Sequence, residues 1–337
     1  MRCCANCFGD REIAEIIRAR SLGKGVCSYC GSANVDLIEP KQLSNYFILL
    51  SAIYEPDDNG KLLVELFSED WNLFDHPAMN IATAKSLLAD ILDDGEVVRK
   101  PFLPSPRYKS DALGRWEQLR NELMYKNRYF PESQMNMDRL GELLEELIAL
   151  DLPAVWYRAR LQMEDKAFVE AEMGAPPQRM ALHGRANPSG IPYLYLGSSV
   201  ATAISEIRPH TGEVACVATV EIPPDLKVID LRSPRKHVSP FLLEEDEIGL
   251  MRAEIGFLER LGEELTRPVL PQGAAIDYVP SQYLCEFIKK CGYGGVIYRS
   301  SVSDGINLAL FEPSVAIIRL VEQHQVVRVK VQVEKIT

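Results

Sequence analysis

His183-Gly184-Arg185-Ala186-Asn187-Pro188-Ser189-Gly190-Ile191-Pro192-Tyr193-Leu194-Tyr195-Leu196-Gly197-Ser198-Ser199-Val200-Ala201-Thr202-Ala203-Ile204-Ser205-Glu206-Ile207-Arg208 changes character twice within one short span. Gly, Asn and Pro crowd its first third and mark a turn. Tyr193–Leu196 then reads as a short strand. Ser198 or Ser199 can act as the N-cap of a helix running to Ile207. Ala201, Ile204 and Ile207 are expected to pack that helix onto a sheet, with Glu206 on a different side.

Further strand-like runs surround this unit: Val155–Ala159, Val214–Ile222, Lys227–Asp230, Gly295–Tyr298 and Leu308–Phe311. In the tail from Val327 to Val333, valines alternate with Arg328, Lys330 and Gln332, the pattern of a half-exposed strand. Helical stretches are read at Glu244–Leu265 and Ser281–Cys291. Upstream of Asp151-Leu152-Pro153 the texture is helical, around 41–54 and 80–92. Leu113, Trp116, Leu119 and Leu123 mark a further helix, and so do Leu140, Leu143, Leu144, Leu147 and Ile148, with Asp138 as the cap of the latter. Pro101-Phe102-Leu103-Pro104-Ser105-Pro106 reads as a breaker. The fold class is therefore α+β: a small N-terminal segment (1–40), a helical domain (41–150) and a mixed α+β domain (153–337).

With 337 residues, 47% hydrophobic and 25% charged, the composition is that of an ordinary globular protein. No apolar run approaches the roughly 20 residues of a membrane helix, and Phe47–Ile53 is short and contains Ser51. Met1-Arg2-Cys3-Cys4 lacks an apolar signal region, so a cytoplasmic location without membrane association is expected. A net charge of −11 argues against broad nucleic-acid affinity, although a local basic patch is compatible with it.

Five of the eight cysteines precede residue 31. Cys4-Ala-Asn-Cys7 and Cys27-Ser-Tyr-Cys30 are two CxxC knuckles, 19 residues apart, the spacing of a four-thiolate zinc site. Cys3 is the alternative to Cys4. A closed site of this kind implies structural Zn2+. Ile13, Ile16 and Ile17 suggest a short helix between the knuckles. Cys216, Cys285 and Cys291 are read as core thiols.

The chemistry concentrates in the opening stretch. An arginine at a turn offers a planar fork to phosphate or diphosphate. A tyrosine ending a strand presents a ring face for stacking. A carboxylate can accept from ribose hydroxyls and stabilise positive charge on a ribose losing its leaving group. The three occur together as Arg185, Tyr195 and Glu206. His183 is the histidine expected to line the site.

Gly184-Arg185-Ala186-Asn187-Pro188, Tyr193-Leu194-Tyr195 and Thr202-Ala203-Ile204-Ser205-Glu206 resemble the signature of the RES domain family, with spacings of 10 and 11 residues between its Arg, Tyr and Glu. Tyr278-Val-Pro-Ser281-Gln282, Gly292–Ser301 and Asn307–Phe311 extend the resemblance over about residues 153–315. Ala186 departs from it, since many members carry an aromatic there. The resemblance implies an ADP-ribosyltransferase-like fold and an enzyme that degrades NAD+. Arg185 would hold the dinucleotide, Tyr195 would stack near nicotinamide, Glu206 would stabilise the ribosyl cation and Ser301, with Ser300 as its close alternative, would order the site. Asn187, Arg158 and Arg160 are further candidates for binding the dinucleotide.

The helical half resembles the zinc-bearing, HEPN-like segment that precedes some RES domains. Active HEPN nucleases need a histidine a few residues after an arginine, and none follows Arg120, so this half is expected to be nuclease-inactive. Gly292-Tyr-Gly294-Gly295 does not make a dinucleotide-binding fingerprint, because it precedes its strand. Two functions follow: cleavage of NAD+ with water, phosphate or a macromolecule as acceptor, or a non-enzymatic zinc protein binding nucleic acid or a partner. The first calls for restraint by an antitoxin or other inhibitory partner, and a homo-oligomer stays open.

Overall fold

The computed structural model describes every residue except 22, 164, 331, 332, 334, 336 and 337. Contacts divide it into two compact units, Met1–Leu113 with Pro234–Leu258, and Gly114–Ser233 with Glu259–Thr337. Residues distant in sequence close each core. In the first unit the closure is aromatic: Phe241 packs 5.2 Å from Phe47, which meets Phe8 at 5.6 Å and Phe67 at 6.1 Å. The Tyr108 hydroxyl adds a bond of 3.1 Å to Asp246.

The first unit holds two antiparallel ribbons, β1 (Lys24–Gly25) with β2 (Val35–Asp36) and β3 (Tyr54–Leu62) with β4 (Pro101–Pro104). The proline-rich stretch taken as a breaker thus supplies a strand. Its prolines stand at the ends of a two-stranded ribbon, where a missing amide is tolerated. Helices Arg11–Ala19, Ser44–Ala52, Leu63–Trp71 and Ile81–Leu92 complete the unit's first segment.

The second unit is built on a mixed seven-stranded sheet. Its strands are β5 (Val155–Leu161), β6 (Leu194–Gly197), β7 (Val214–Glu221), β8 (Val228–Asp230), β9 (Gly295–Arg299), β10 (Ile306–Leu310) and β11 (Ile317–Gln325). They run in the order β11-β7-β5-β6-β10-β9-β8, antiparallel except for the β8–β9 pair. The strand expected in the tail is placed differently. Ile317–Gln325 pairs along the whole of β7, while Val327–Lys330 lie outside any strand and Val331 and Gln332 fall outside the described residues. Alternation alone could not show that the edge was already filled.

Alternate side chains sort the sheet into two faces. Trp156, Leu194, Leu196, Cys216, Ala218, Val220, Leu308 and Leu310 form the larger core. Ala159 and Val217 on the other face receive helix Val200–Glu206 through Ala203, with Val200, Ile204 and Ile207 alongside. Ala201 is exposed, contrary to expectation, because the helix starts at Val200 and its buried stripe therefore falls on positions 200, 203, 204 and 207. Ser199 is the N-cap, accepting from the Thr202 amide at 3.1 Å. Ser198 instead accepts from the Ile306 amide at 3.1 Å, which ties the helix entry to β10.

Two further expectations need correction. Asn136, not Asp138, caps helix Met137–Glu145, accepting from the Arg139 amide at 3.0 Å. Cys291 is exposed just past the end of helix Val279–Lys290, whereas Cys216 and Cys285 are buried. No helix among the described residues is long and apolar enough to cross a membrane.

Helix Val200–Glu206 lies so close to β6 that a Cβ on Gly197 would stand 2.7 Å from the Ala203 nitrogen. Gly197→Ala should therefore push the helix away from the sheet and cost about 1–3 kcal/mol, as overpacking does. Chemical unfolding measures this, and an unchanged midpoint would remove the close approach from the account.

Candidate functional site

A cleft of about 390 Å³ opens on the helix-bearing face of the second unit. Its lining includes Arg158, His183, Arg185, Tyr195, Glu206, Arg208 and Ser301, together with Tyr157, Tyr278, Tyr298 and Asn307. Among the described residues, three arginines and four tyrosines thus share the cavity with a single carboxylate.

The loop carrying Arg185 is locked from within. Gly184 N–H donates to the Asn187 carbonyl at 2.9 Å, and the Asn187 amide donates to the carbonyls of Leu182, Pro188 and Ile191 at 2.9–3.0 Å. The Tyr195 hydroxyl joins loop to strand. It donates to Asn187 Oδ1 at 2.7 Å and accepts from the amides of Ala186 and Asn187 at 2.9 and 3.2 Å. Burial pushes this phenol well above its ordinary pKa, so it remains a donor. A Cβ on Gly184 would lie 2.4 Å from Asn187 Oδ1 and 2.6 Å from the Tyr195 hydroxyl, so only glycine fits.

The Arg185 guanidinium is held on three sides. Nη1 donates to the Arg267 carbonyl at 2.7 Å, Nη2 reaches Ser301 Oγ at 3.4 Å, and the group stacks 5.2 Å from the Tyr278 ring centroid. Glu206 ends its helix with Oε1 accepting from Ser300 Oγ and Asn307 Nδ2, each at 2.6 Å. Oε2 makes no hydrogen bond among the described residues. Arg158 fills the gap where β5 and β6 share only the pair Tyr157↔Gly197, and its Nη1 donates to the Tyr195 carbonyl at 3.1 Å. Burial, with Arg160 as a like charge, lowers its pKa to about 10, which leaves it cationic at neutral pH. Its buried Nε has no partner among the described residues.

The structure therefore brings Arg158, Arg185, Tyr195, Glu206 and Ser301 to one cavity. Ser300 stands outside the lining but holds Glu206. Asn187 is buried, with its Nδ2 spent on the loop and its Oδ1 on the Tyr195 hydroxyl. Arg160 stacks 4.2 Å from the Phe168 ring centroid and donates to the Glu172 carbonyl, away from the lining. Asn307, Tyr278, Tyr298 and Arg208 fall in the segments quoted above, where sequence assigns them no role of their own. A signal existed for Asn307, a lone polar residue in the apolar run Ile306–Leu310. Arg208 is one of the few non-glycine residues in the left-handed region, at φ 48°.

In the first unit, Cys4, Cys7, Cys27 and Cys30 are buried with their sulfurs all within 4.8 Å of one another. Sulfur pairs stand 3.5 Å apart for Cys4 with Cys30 and 3.4 Å for Cys7 with Cys27. A tetrahedral zinc–thiolate site asks for about 3.8 Å between sulfurs, so the donor set and spacing fit a metal ion. Hydrogen bonding with Cys27 pushes the Cys4 thiol up to about 12 and Cys7 higher still, while Cys27 is pulled down. Cys3 stands apart, its backbone bridged to Ile38.

Tyr195→Phe should leave Asn187 Oδ1 and two loop amides without a partner, costing about 1–3 kcal/mol in unfolding free energy. Equal stability of variant and wild type in a denaturant titration would remove the hydroxyl from its locking role.

No curated protein matches the sequence. Among solved structures, the crystal structure of the M. tuberculosis MbcT-MbcA toxin-antitoxin complex is similar at a TM-score of 0.34 and 15% identity, covering 55% of this chain and 92% of that one. The family model described as RES domain matches residues 155–330, just over half of the 337 residues. The chain belongs to the RES domain family.

Proposed function

We propose that the cleft breaks the bond between nicotinamide and ribose in NAD+. The observation that carries the reading is that, among the described residues, Glu206 is the single carboxylate in a lining that includes three arginines. Cleaving an ordinary glycoside takes two carboxyl groups, one of them to protonate the departing oxygen. The nicotinamide of NAD+ is a pyridinium. Its C1′–N bond breaks with the electron pair moving to nitrogen, which becomes neutral and needs no proton. One carboxylate then suffices, stabilising positive charge on the ribose.

Arg185 binds the diphosphate through its fork and arrives already oriented by the Arg267 carbonyl and Ser301. Tyr195 offers its ring to the nicotinamide end, and Arg158 adds a second cation to the wall. The acceptor bonds to C1′ and gives up a proton. Water, phosphate and a macromolecular nucleophile each satisfy this step, and the product identifies which one acts. Unrestrained, such an enzyme would exhaust the NAD+ of its own cell, so the reading includes an inhibitory partner of the antitoxin kind.

Incubating the purified chain with NAD+ and following nicotinamide by chromatography is the test. Wild type should release it, and Glu206→Gln or Arg185→Ala should slow release by roughly a hundredfold or more. Failure of the wild type to release nicotinamide rules the reading out.

The four cysteines are proposed to hold structural Zn2+. Four thiolates leave no open position, so the ion supplies folding free energy to a short N-terminal segment. Metal analysis should find one zinc per chain, lost in Cys27→Ser, and chelation should lower the unfolding temperature of the first unit. A metal-free chain that melts unchanged would contradict this.

A further inference from the structure

Behind Arg185 lies a buried ionic cluster that the proposed chemistry does not use. Glu264, fully buried near the end of helix Glu245–Thr266, accepts at Oε1 from Arg120 Nε at 2.8 Å and Trp116 Nε1 at 3.3 Å, with Arg260 Nη2 at 2.9 Å. Arg267 Nε stands 3.4 Å from its other oxygen. Three guanidinium groups thus surround one carboxylate, and Glu117 meets Arg260 at 2.5 Å.

Arg267 links this cluster to the cleft in two ways. Its carbonyl accepts from Arg185 Nη1 at 2.7 Å. Its Nη2 donates to the Asp277 carbonyl at 2.7 Å, and the next residue is Tyr278, whose ring lies against Arg185. The side chain that ends in the cluster therefore belongs to the residue whose backbone aims the arginine of the site. A buried ion cluster is often no more stable than apolar side chains of the same volume. Stability alone is accordingly a poor account of this one.

We infer that Glu264 and Arg120 are positioning residues for Arg185, acting through Arg267. It follows that the helix carrying Trp116 and Arg120, which precedes the family match at 155–330, is a working part of the site. This rests on the reading that Arg185 binds NAD+.

The test uses the full chain in a Glu206→Gln background, where NAD+ binds with little turnover. Calorimetric affinity for NAD+ should fall roughly tenfold in Arg120→Met and in Glu264→Gln, with Arg120→Lys restoring most of it, a size of coupling usual within one network. After Arg185→Ala the same substitutions should change affinity by less than about twofold. Equal losses in both backgrounds, or no loss in either, overturn the inference. Should Glu264→Gln fail to fold, Arg120→Met at the partly exposed rim of the cluster carries the test.

A second readout needs no substrate. The isotope-labelled guanidinium resonance of Arg185, assigned by its loss in Arg185→Ala, should shift in Arg120→Met. An unmoved resonance overturns the link. A shifted resonance in a protein that releases no nicotinamide sinks the functional reading and leaves the positioning role standing.

Discussion

The phenolic hydroxyl of Tyr195 is the constraint on which the site depends. One oxygen donates to Asn187 and accepts from two loop amides, so β6 and the Arg185 loop cannot move independently. Each such bond is worth about 0.5–1.5 kcal/mol net, but the cost of leaving its buried partners unpaired is larger. The hydroxyl also sets the sequence around it. Position 184 must be glycine because a Cβ there would collide with both members of the bond. Asn187 must carry donor and acceptor at once, which aspartate cannot do when ionised.

Charge is distributed against the average of the chain. The whole sequence carries −11, yet the cleft lining holds Arg158, Arg185 and Arg208 against Glu206. The effect is local, since screening limits exposed charges to about 8–10 Å at physiological salt while charges within a low-dielectric cleft are screened less. Among the described residues the buried Arg158 Nε–H has no partner. Buried donors are seldom left so, and an anionic ligand in the cleft would give this one a partner.

Much of the site could be read in the sequence because its parts are local. Gly184 to Glu206 encodes turn, strand and helix by short-range rules, and the two CxxC knuckles state their own geometry. What sequence could not show depends on strands meeting across the fold. Ser300 and Asn307 reach Glu206 from β9–β10, about a hundred residues away. Arg120 looked like an incomplete nuclease motif until Glu264, 144 positions on, appeared as its partner. For Asn187 and Arg160 the partners likewise come from the fold. Their side chains suit a ligand, but folding spends one on its own loop and the other on Phe168. The valine-rich tail shows the limit of periodicity, which identifies a strand's faces without saying whether a neighbouring edge is vacant.

The way Glu206 is held bears on what it can do. Three arginines line its cavity, yet Glu206 makes no ion pair among the described residues, and its two partners are the neutral donors Ser300 and Asn307. A carboxylate anchored by a salt bridge would have its charge largely compensated before any ligand arrived. Neutral hydrogen bonds fix the orientation of Oε1 and leave the charge uncancelled, with Oε2 free of partners. The arginines are meanwhile oriented elsewhere, Arg185 by a main-chain carbonyl and Arg158 by another. Separating the charges in this way keeps the arginines and the carboxylate from quenching each other. On the reading proposed above, a ligand that brings a diphosphate and an incipient ribosyl cation together would meet both already in place, with little reorganisation left for the reaction step.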